Sequence, residues 1–290
     1  MQNLSKSLVR RTINRVQDGV LQTPQEDLLA KEEPLEIRLI YGPPSARKSM
    51  ALSVTMRTPG QDFDLVRGFL WTEGIIHKRE DLLTLRYGGV SLAEESQENV
   101  VLAELATSAH FEPQQVERHF YTSSSCGVCG KASLDLVRLQ SRFSILPERP
   151  IISTEVLQKL PDLLQREQRL FAQTGGIHAA ALFSPQGKLI GYREDVGRHN
   201  AMDKIVGMAW QSDWLPLRDH ICLWSGRASF ELCQKAFMAG IGVVAAIGAP
   251  SSLAVEFAEE YGMTLVGFLR TGGMNVYTGV ERFQKIEPMT

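Results

Sequence analysis

Cys126 and Cys129 stand three residues apart in the run Ser123-Ser124-Ser125-Cys126-Gly127-Val128-Cys129-Gly130-Lys131. Thiols at this spacing can share one reaction: the first attacks as a thiolate and the second resolves the product. A free thiol of pKa about 8.5 is only ~3% ionised at pH 7, and lowering that pKa by one unit raises the fraction to roughly a quarter. Lys131 pushes in that direction. The flanking glycines and serines suit a loop that presents sulfur at two places, whereas a structural pair would sit among branched apolar residues.

Metal binding is the rival chemistry. A structural zinc site needs four ligands, and no second Cys-x-x-Cys exists; Cys222 and Cys233 lie in apolar runs and read as core thiols. No metal site is therefore expected. Gly42-Pro43-Pro44-Ser45-Ala46-Arg47-Lys48-Ser49 imitates a phosphate-binding loop. It fails, because Arg47 replaces a required glycine and two prolines remove N–H groups that phosphates would need. His178-Ala179-Ala180 resembles the His-x-Glu of zinc deaminases, but Ala180 stands where the proton-moving Glu would be, and the Cys-x-x-Cys lies on the wrong side of the histidine.

The elements that must position these groups fall into two patterns. Leu35 to Tyr41 and Ala51 to Met56 read as a hairpin, followed by a helix capped by Asp62 and stopped at Gly74, then strands near Leu82 to Tyr87 and Asn99 to Leu105. From Ser153 the chain alternates: a helical run to Gln173 interrupted at Pro161, strands at 177–183 and 188–193, then helices and strands in turn to Thr278. Such alternation predicts an α/β fold, a mixed and mostly parallel sheet with helices on both faces, beside a smaller N-terminal α+β domain. The expected division is a flexible basic tail over 1–31, the α+β domain over 32–120, the Cys-x-x-Cys loop and connection over 121–152, and the α/β domain over 153–290. In the tail, Leu4, Leu8, Ile13 and Val16 have the spacing of a weak amphipathic helix.

Three small-residue loops follow successive strands of the second half: Ser225-Gly226-Arg227-Ala228-Ser229, Gly248-Ala249-Pro250-Ser251-Ser252 and Arg270-Thr271-Gly272-Gly273. Loops at the carboxyl ends of parallel strands share one edge, where helix N-termini offer free N–H groups. With Arg227 and Arg270 in these loops and Arg193 and Arg198 near by, a phosphate-rich ligand is expected there.

Composition bounds what remains. Of the 290 residues, 43% are hydrophobic and 22% charged, as in ordinary globular chains. Thirty-one basic against 33 acidic residues leave a net charge of −2, so no global field favours nucleic acid or an anionic membrane. Met238 to Gly248 is the longest apolar stretch and is far short of the ~20 residues of a membrane span. Four cysteines suggest a reducing compartment, hence a cytoplasmic protein.

Several segments taken together resemble the FdhD family, the formate dehydrogenase accessory sulfurtransferases. They are Glu33-Pro34-Leu35, Arg57-Thr58-Pro59-Gly60-Gln61-Asp62 through Gly74, Ser125-Cys126-Gly127-Val128-Cys129-Gly130, Thr174-Gly175-Gly176-Ile177-His178, Glu194-Asp195-Val196-Gly197-Arg198-His199-Asn200-Ala201 with Asp203-Lys204, Ser225-Gly226-Arg227, and Gly267-Phe268-Leu269-Arg270. The resemblance implies a homodimer with a cytidine-deaminase-like second domain. It also implies an enzyme that takes persulfide sulfur from a cysteine desulfurase and passes it to a molybdenum bis(guanine dinucleotide) cofactor destined for formate dehydrogenase. By motif, Cys126 carries the persulfide and Cys129 assists. The cofactor-contacting segment falls on Phe268, Leu269, Arg270, Thr271, Gly272 and Gly273, the last standing where many members carry a second arginine. A non-catalytic cofactor carrier and a zinc-binding module are the alternatives.

Overall fold

Between residues 8 and 30 the chain forms paired strands, largely exposed, where the sequence pattern suggests a flexible tail. In the computed structural model, which describes residues 4–88, 98–111 and 143–284, Leu8–Ile13 (β1) pairs antiparallel with Gln25–Ala30 (β4). Inside that ribbon Val16–Gln17 (β2) pairs with Val20–Leu21 (β3). The turn is Asp18-Gly19, both with positive φ (51° and 79°), the dipeptide and geometry that two-residue hairpins prefer. A helix cannot run through two left-handed residues, so the helical spacing of the apolar side chains gives way to strand pairing.

Leu35, Ile37 and Leu39 alternate with polar neighbours and are fully buried, which makes Glu33–Tyr41 (β5) a strand with one face in the core. It forms the expected hairpin with Lys48–Arg57 (β6). The other side of β5 pairs parallel with Val100–Leu105 (β8), which pairs with Leu82–Tyr87 (β7), giving the order β6-β5-β8-β7. The loop that imitates a phosphate site is a hairpin turn. Arg47 Nη1 donates to the carbonyls of Gly42 and Leu105, each at 2.8 Å. The first helix, Asp62–Thr72 (α1), begins one residue earlier than the capping pattern suggests. Asp62 lies inside the first turn, and its buried carboxylate accepts from Arg57 at 3.0 Å and from the Tyr87 hydroxyl at 3.0 Å.

In the second half, Thr154–Glu167 (α2) continues through Pro161 and breaks at Gln168, before Arg169–Thr174 (α3). The proline costs about 3 kcal/mol, but Leu157, Leu160 and Leu164 are fully buried on one face at roughly 1.5–3 kcal/mol each, so the helix persists. The remaining elements follow in alternation: His178–Phe183 (β9), Leu189–Asp195 (β10), Arg198–Gln211 (α4), Ile221–Trp224 (β11), Phe230–Met238 (α5), Val243–Ala246 (β12), Ser252–Glu260 (α6), Thr264–Arg270 (β13) and Gly273–Thr278 (β14). Their sheet runs β10-β9-β11-β12-β13-β14. Only the β11–β12 and β12–β13 pairings are parallel, against three antiparallel ones, so the sheet is mixed but not mostly parallel. The β9–β10 turn at Ser184–Gly187 and the tight β13–β14 connection reverse the chain without a crossover helix, and reversal forces antiparallel pairing.

Residues alternate across this sheet. Ala180, Leu182, Cys222, Trp224, Val244 and Ala246 face one core, while Ala179, Ala181, Phe183, Leu223 and Ala245 face a second core closed by α2. Helices therefore cover both faces. The first core does not stop at the domain boundary: it also contains Leu35, Ile37, Leu65, Val66 and Leu70, joined through α1 packed on α4.

Candidate functional site at the carboxyl edge of the sheet

The parallel strands β11 and β12 end at one edge, where β13 also ends. Antiparallel β9 starts there with His178, and β10 finishes there with Asp195, the partner of His178 in register. The loops lock side by side. The Ala179 amide donates to Ser225 Oγ at 2.8 Å, the Gly248 amide to the Gly226 carbonyl at 3.0 Å, and the Phe268 amide to the Gly248 carbonyl at 3.1 Å. Two glycines are required by close approach: a β-carbon on Gly248 would lie 3.1 Å from the backbone of Arg227, and one on Gly267 2.8 Å from Pro250 Cδ. The three loops expected to share one edge, Ser225–Ser229, Gly248–Ser252 and Arg270–Gly273, do follow strand ends at that edge.

Phe268 has φ 52° and a side chain 48% exposed. A non-glycine residue in the left-handed region is strained, and here it coincides with a register shift between Gly267 and Arg270 that turns the ring outward. Arg270, Thr271 and Gly272 are exposed with it, and Thr271 Oγ1 donates to Asp162 of α2 at 2.9 Å. Leu269 differs from its neighbours. Its side chain is fully buried in the second core, leaving only its backbone to face a ligand.

Three helices, α4, α5 and α6, begin at this edge, and Ser251 Oγ accepts the Ala254 amide to cap α6. His199, on the first turn of α4, lies 3.3 Å from Ser229 Oγ and 3.9 Å from Glu231 Oε2. Both contacts fall on Nε2, so this is no nucleophile–base–orienter relay, which uses the two ring nitrogens separately. Burial, then the charges of Arg198 and Lys235, bring the His199 pKa down to about 4. Burial and Arg198 lower His178 as well. With both imidazoles neutral, Arg198 beside them and the exposed Arg227 and Arg270 outnumber Glu231 at the edge, and such a surface suits an anion.

Arg193 does not join them. It points to the seam between the two halves, where it holds Asp64 of α1 at 2.8 Å. The surrounding motif is also structural. Asp195 pairs with Lys204 at 2.6 Å and accepts from the amides of Thr58 and Gly197 and from Asn200 Nδ2. Asn200 in turn donates to the Met56 carbonyl and accepts from Thr55. Glu194 caps α3, accepting from the amides of Leu170 and Phe171. A second buried group, Asp203 with Lys235 at 3.0 Å and Thr72 at 2.8 Å, stitches α4, α5 and α1. Burial raises the Asp203 pKa to about 6. Spacing gave no sign of the links across the seam, because Thr58 and Thr72 lie over 130 residues from Asp195 and Asp203.

Cys126 and Cys129 lie outside the described residues. The flanks of their segment are described: Phe111 packs on Tyr41 at 5.0 Å and Phe143 stacks on Trp71 at 6.3 Å, while Ile145 meets Gly242 just before β12. Gly242 and Gly248 bracket β12, so this second flank sits at the end of the sheet away from the loops. Cys222 and Cys233 are core thiols, and burial pushes Cys233 up to about 12 and Cys222 higher still. Among the described residues no group of three or more His, Cys, Asp or Glu side chains could hold a metal ion, and no helix is long and apolar enough to cross a membrane.

The FdhD/NarQ family profile matches residues 30–284. The chain belongs to the FdhD/NarQ family. A sulfur carrier protein FdhD of Streptomyces coelicolor is 51% identical over 275 residues, covering 94% of each chain. Its counterpart in Mycobacterium tuberculosis is 50% identical over 277 residues, covering 94% of this chain and 97% of that one. A crystal structure from Desulfotalea psychrophila, described as a formate dehydrogenase accessory protein, superposes with a TM-score of 0.70. At 20% identity, covering 96% of this chain and 99% of that one, it shows the shared mixed α/β fold. FdhD/NarQ membership covers both halves and the seam, so the motifs that hold the halves together fall within the family match as fully as those at the edge.

Proposed function

We propose that this protein is a sulfurtransferase that takes sulfur from a cysteine desulfurase and passes it to a molybdenum bis(guanine dinucleotide) cofactor for formate dehydrogenase. The observation that carries this reading is the carboxyl edge, where Phe268, Arg227 and Arg270 are exposed and Gly272 has open space where a β-carbon would stand. An aromatic face and two guanidiniums fit a guanine base and a pyrophosphate. The cofactor is the substrate, and its metal supplies its own chemistry.

In the first step the Cys126 thiolate attacks the outer sulfur of the donor persulfide. A sulfur–sulfur bond forms on Cys126 and the donor leaves as thiolate. In the second, Cys129 attacks the inner sulfur of the Cys126 persulfide, so that the outer sulfur departs as sulfide toward the metal. The two electrons come from the thiols, which are left as a disulfide that a cellular thiol reductant resets. From the flank at the far end of the sheet, seventeen residues lead back from Phe143 to Cys126, an extended span of up to ~55 Å, against roughly 23 Å for a seven-residue strand. The protein would work as a homodimer in the cytoplasm, meeting its donor and its acceptor enzyme in turn.

Mass spectrometry after incubation with desulfurase and cysteine tests the first step: one added sulfur on Cys126 is expected, and its absence refutes the reading. Cys126→Ala separates transfer from carriage. A transferase loses formate dehydrogenase maturation, whereas a non-catalytic carrier keeps it.

A further inference from the structure

We propose that the seam between the two halves holds a second binding site, for a small phosphate ester, separate from the carboxyl edge. A cavity of about 500 Å³ opens where the Thr58–Gln61 turn, the start of α3 and strand β10 meet. That volume is in the range of small-molecule sites.

Its wall presents four cations, Lys6, Arg169, Arg193 and Lys204, against the single carboxylate of Glu194. Three of the cations are held by Glu98, Asp64 and Asp195, none of which lines the cavity. Glu194 is itself committed to backbone amides of α3. Arg169 is different: it is exposed, and among the described residues it has no carboxylate within ion-pair distance. The Tyr192 hydroxyl likewise has no hydrogen-bond partner among the described residues. A guanidinium and a phenol among the lining residues, neither with a side-chain partner among the described residues, are donors that a phosphoryl group accepts from, and Pro59 and Leu170 add apolar surface for the rest of an ester. Gln61 lines the cavity with φ 55°, a backbone state that an amide side chain tolerates only when its surroundings impose it.

The cavity touches both halves, so an occupant would stabilise their junction and raise the unfolding midpoint of the whole chain. Calorimetry and thermal unfolding of the full-length protein with phenyl phosphate, and in parallel with inorganic phosphate, test this. Saturable binding of phenyl phosphate with a rise in midpoint is expected, at least tenfold weaker in Arg169→Glu and weakened in Tyr192→Phe. Both side chains lie at the surface of the cavity, so the ligand-free midpoint of each variant serves as the folding control. The edge arginines can hold a phosphate too, so the comparison is made in a chain carrying Arg227→Ala and Arg270→Ala, where phenyl phosphate binding should persist and still fall at least tenfold with Arg169→Glu. Binding of inorganic phosphate alone, binding unaffected by Arg169→Glu, or loss of all binding in the Arg227→Ala/Arg270→Ala chain would each overturn the proposal. Because the readout is independent of sulfur transfer and of the guanine cofactor, its failure leaves the proposed function standing, and the reverse holds too.

Discussion

Gly68 of α1 and Gly207 of α4 are reciprocal contacts: a β-carbon on Gly68 would overlap the Asp203 carbonyl, and one on Gly207 would overlap the Asp64 carbonyl. The two helices cross backbone against backbone, which is how the small sheet unit and the large one come to share a core. Gly68→Ala and Gly207→Ala should each cost about 1–3 kcal/mol or more, because the overlapping atoms are main chain and cannot swing aside. Urea denaturation checks this, and a variant within 0.5 kcal/mol (roughly the surface-substitution range) would show that the helices can separate without loss.

The Asp195–Lys204 pair predicts an asymmetry. Removing Lys204 leaves Asp195 with three donors, from Thr58, Gly197 and Asn200. Removing Asp195 leaves a buried ammonium whose hydrogen-bond partners among the described residues are the carbonyls of Thr58 and Glu194. Asp195→Ala should therefore destabilise by roughly 3–5 kcal/mol, and Lys204→Met by less. Equal or inverted losses in denaturation midpoints would contradict the arrangement.

His199 predicts acid sensitivity. Its folded pKa of about 4 lies below the ordinary 6.5, so between these values the unfolded chain binds the extra proton and stability rises with pH. The contribution is present above pH 6.5 and is lost as pH falls toward 4. Its imidazole is 38% exposed, and solvent screening keeps the slope shallow. Urea midpoints followed from pH 7 to 4.5 should fall more steeply for the wild type than for His199→Gln; parallel curves would place the imidazole in open water.

At the edge, Arg227→Ala and Arg270→Ala should each weaken guanosine diphosphate by tenfold or more, the worth of one charge-assisted contact. Arg193→Ala should leave that affinity unchanged and lower stability instead, since its partner is Asp64. Isothermal titration on the three variants distinguishes the two roles, and equal affinities for all of them would remove the arginines from the site.

Local patterns carried much of this structure. The period of two at Leu35, Ile37 and Leu39 and the helix–strand alternation after Ser153 state which elements exist. Glycine and arginine after successive strands also state which loops meet, because strand ends in a layered sheet have few places to go. The residue run from Glu194 to Lys204 was legible as a motif but not as a seam, since the hydrogen bonds from Thr58 and Thr72 and the ion pair with Lys235 join groups that only folding brings near.

The sequence alone therefore determined the element types from Leu35 onward, the family and the chemistry available to Cys126 and Cys129. Tertiary structure decided which cations serve the edge and which hold the halves together, that β1 to β4 pair, and that the sheet is chiefly antiparallel by pairing. Those outcomes depend on contacts between residues far apart in the chain, where burial and close approach, not local preference, set the energy.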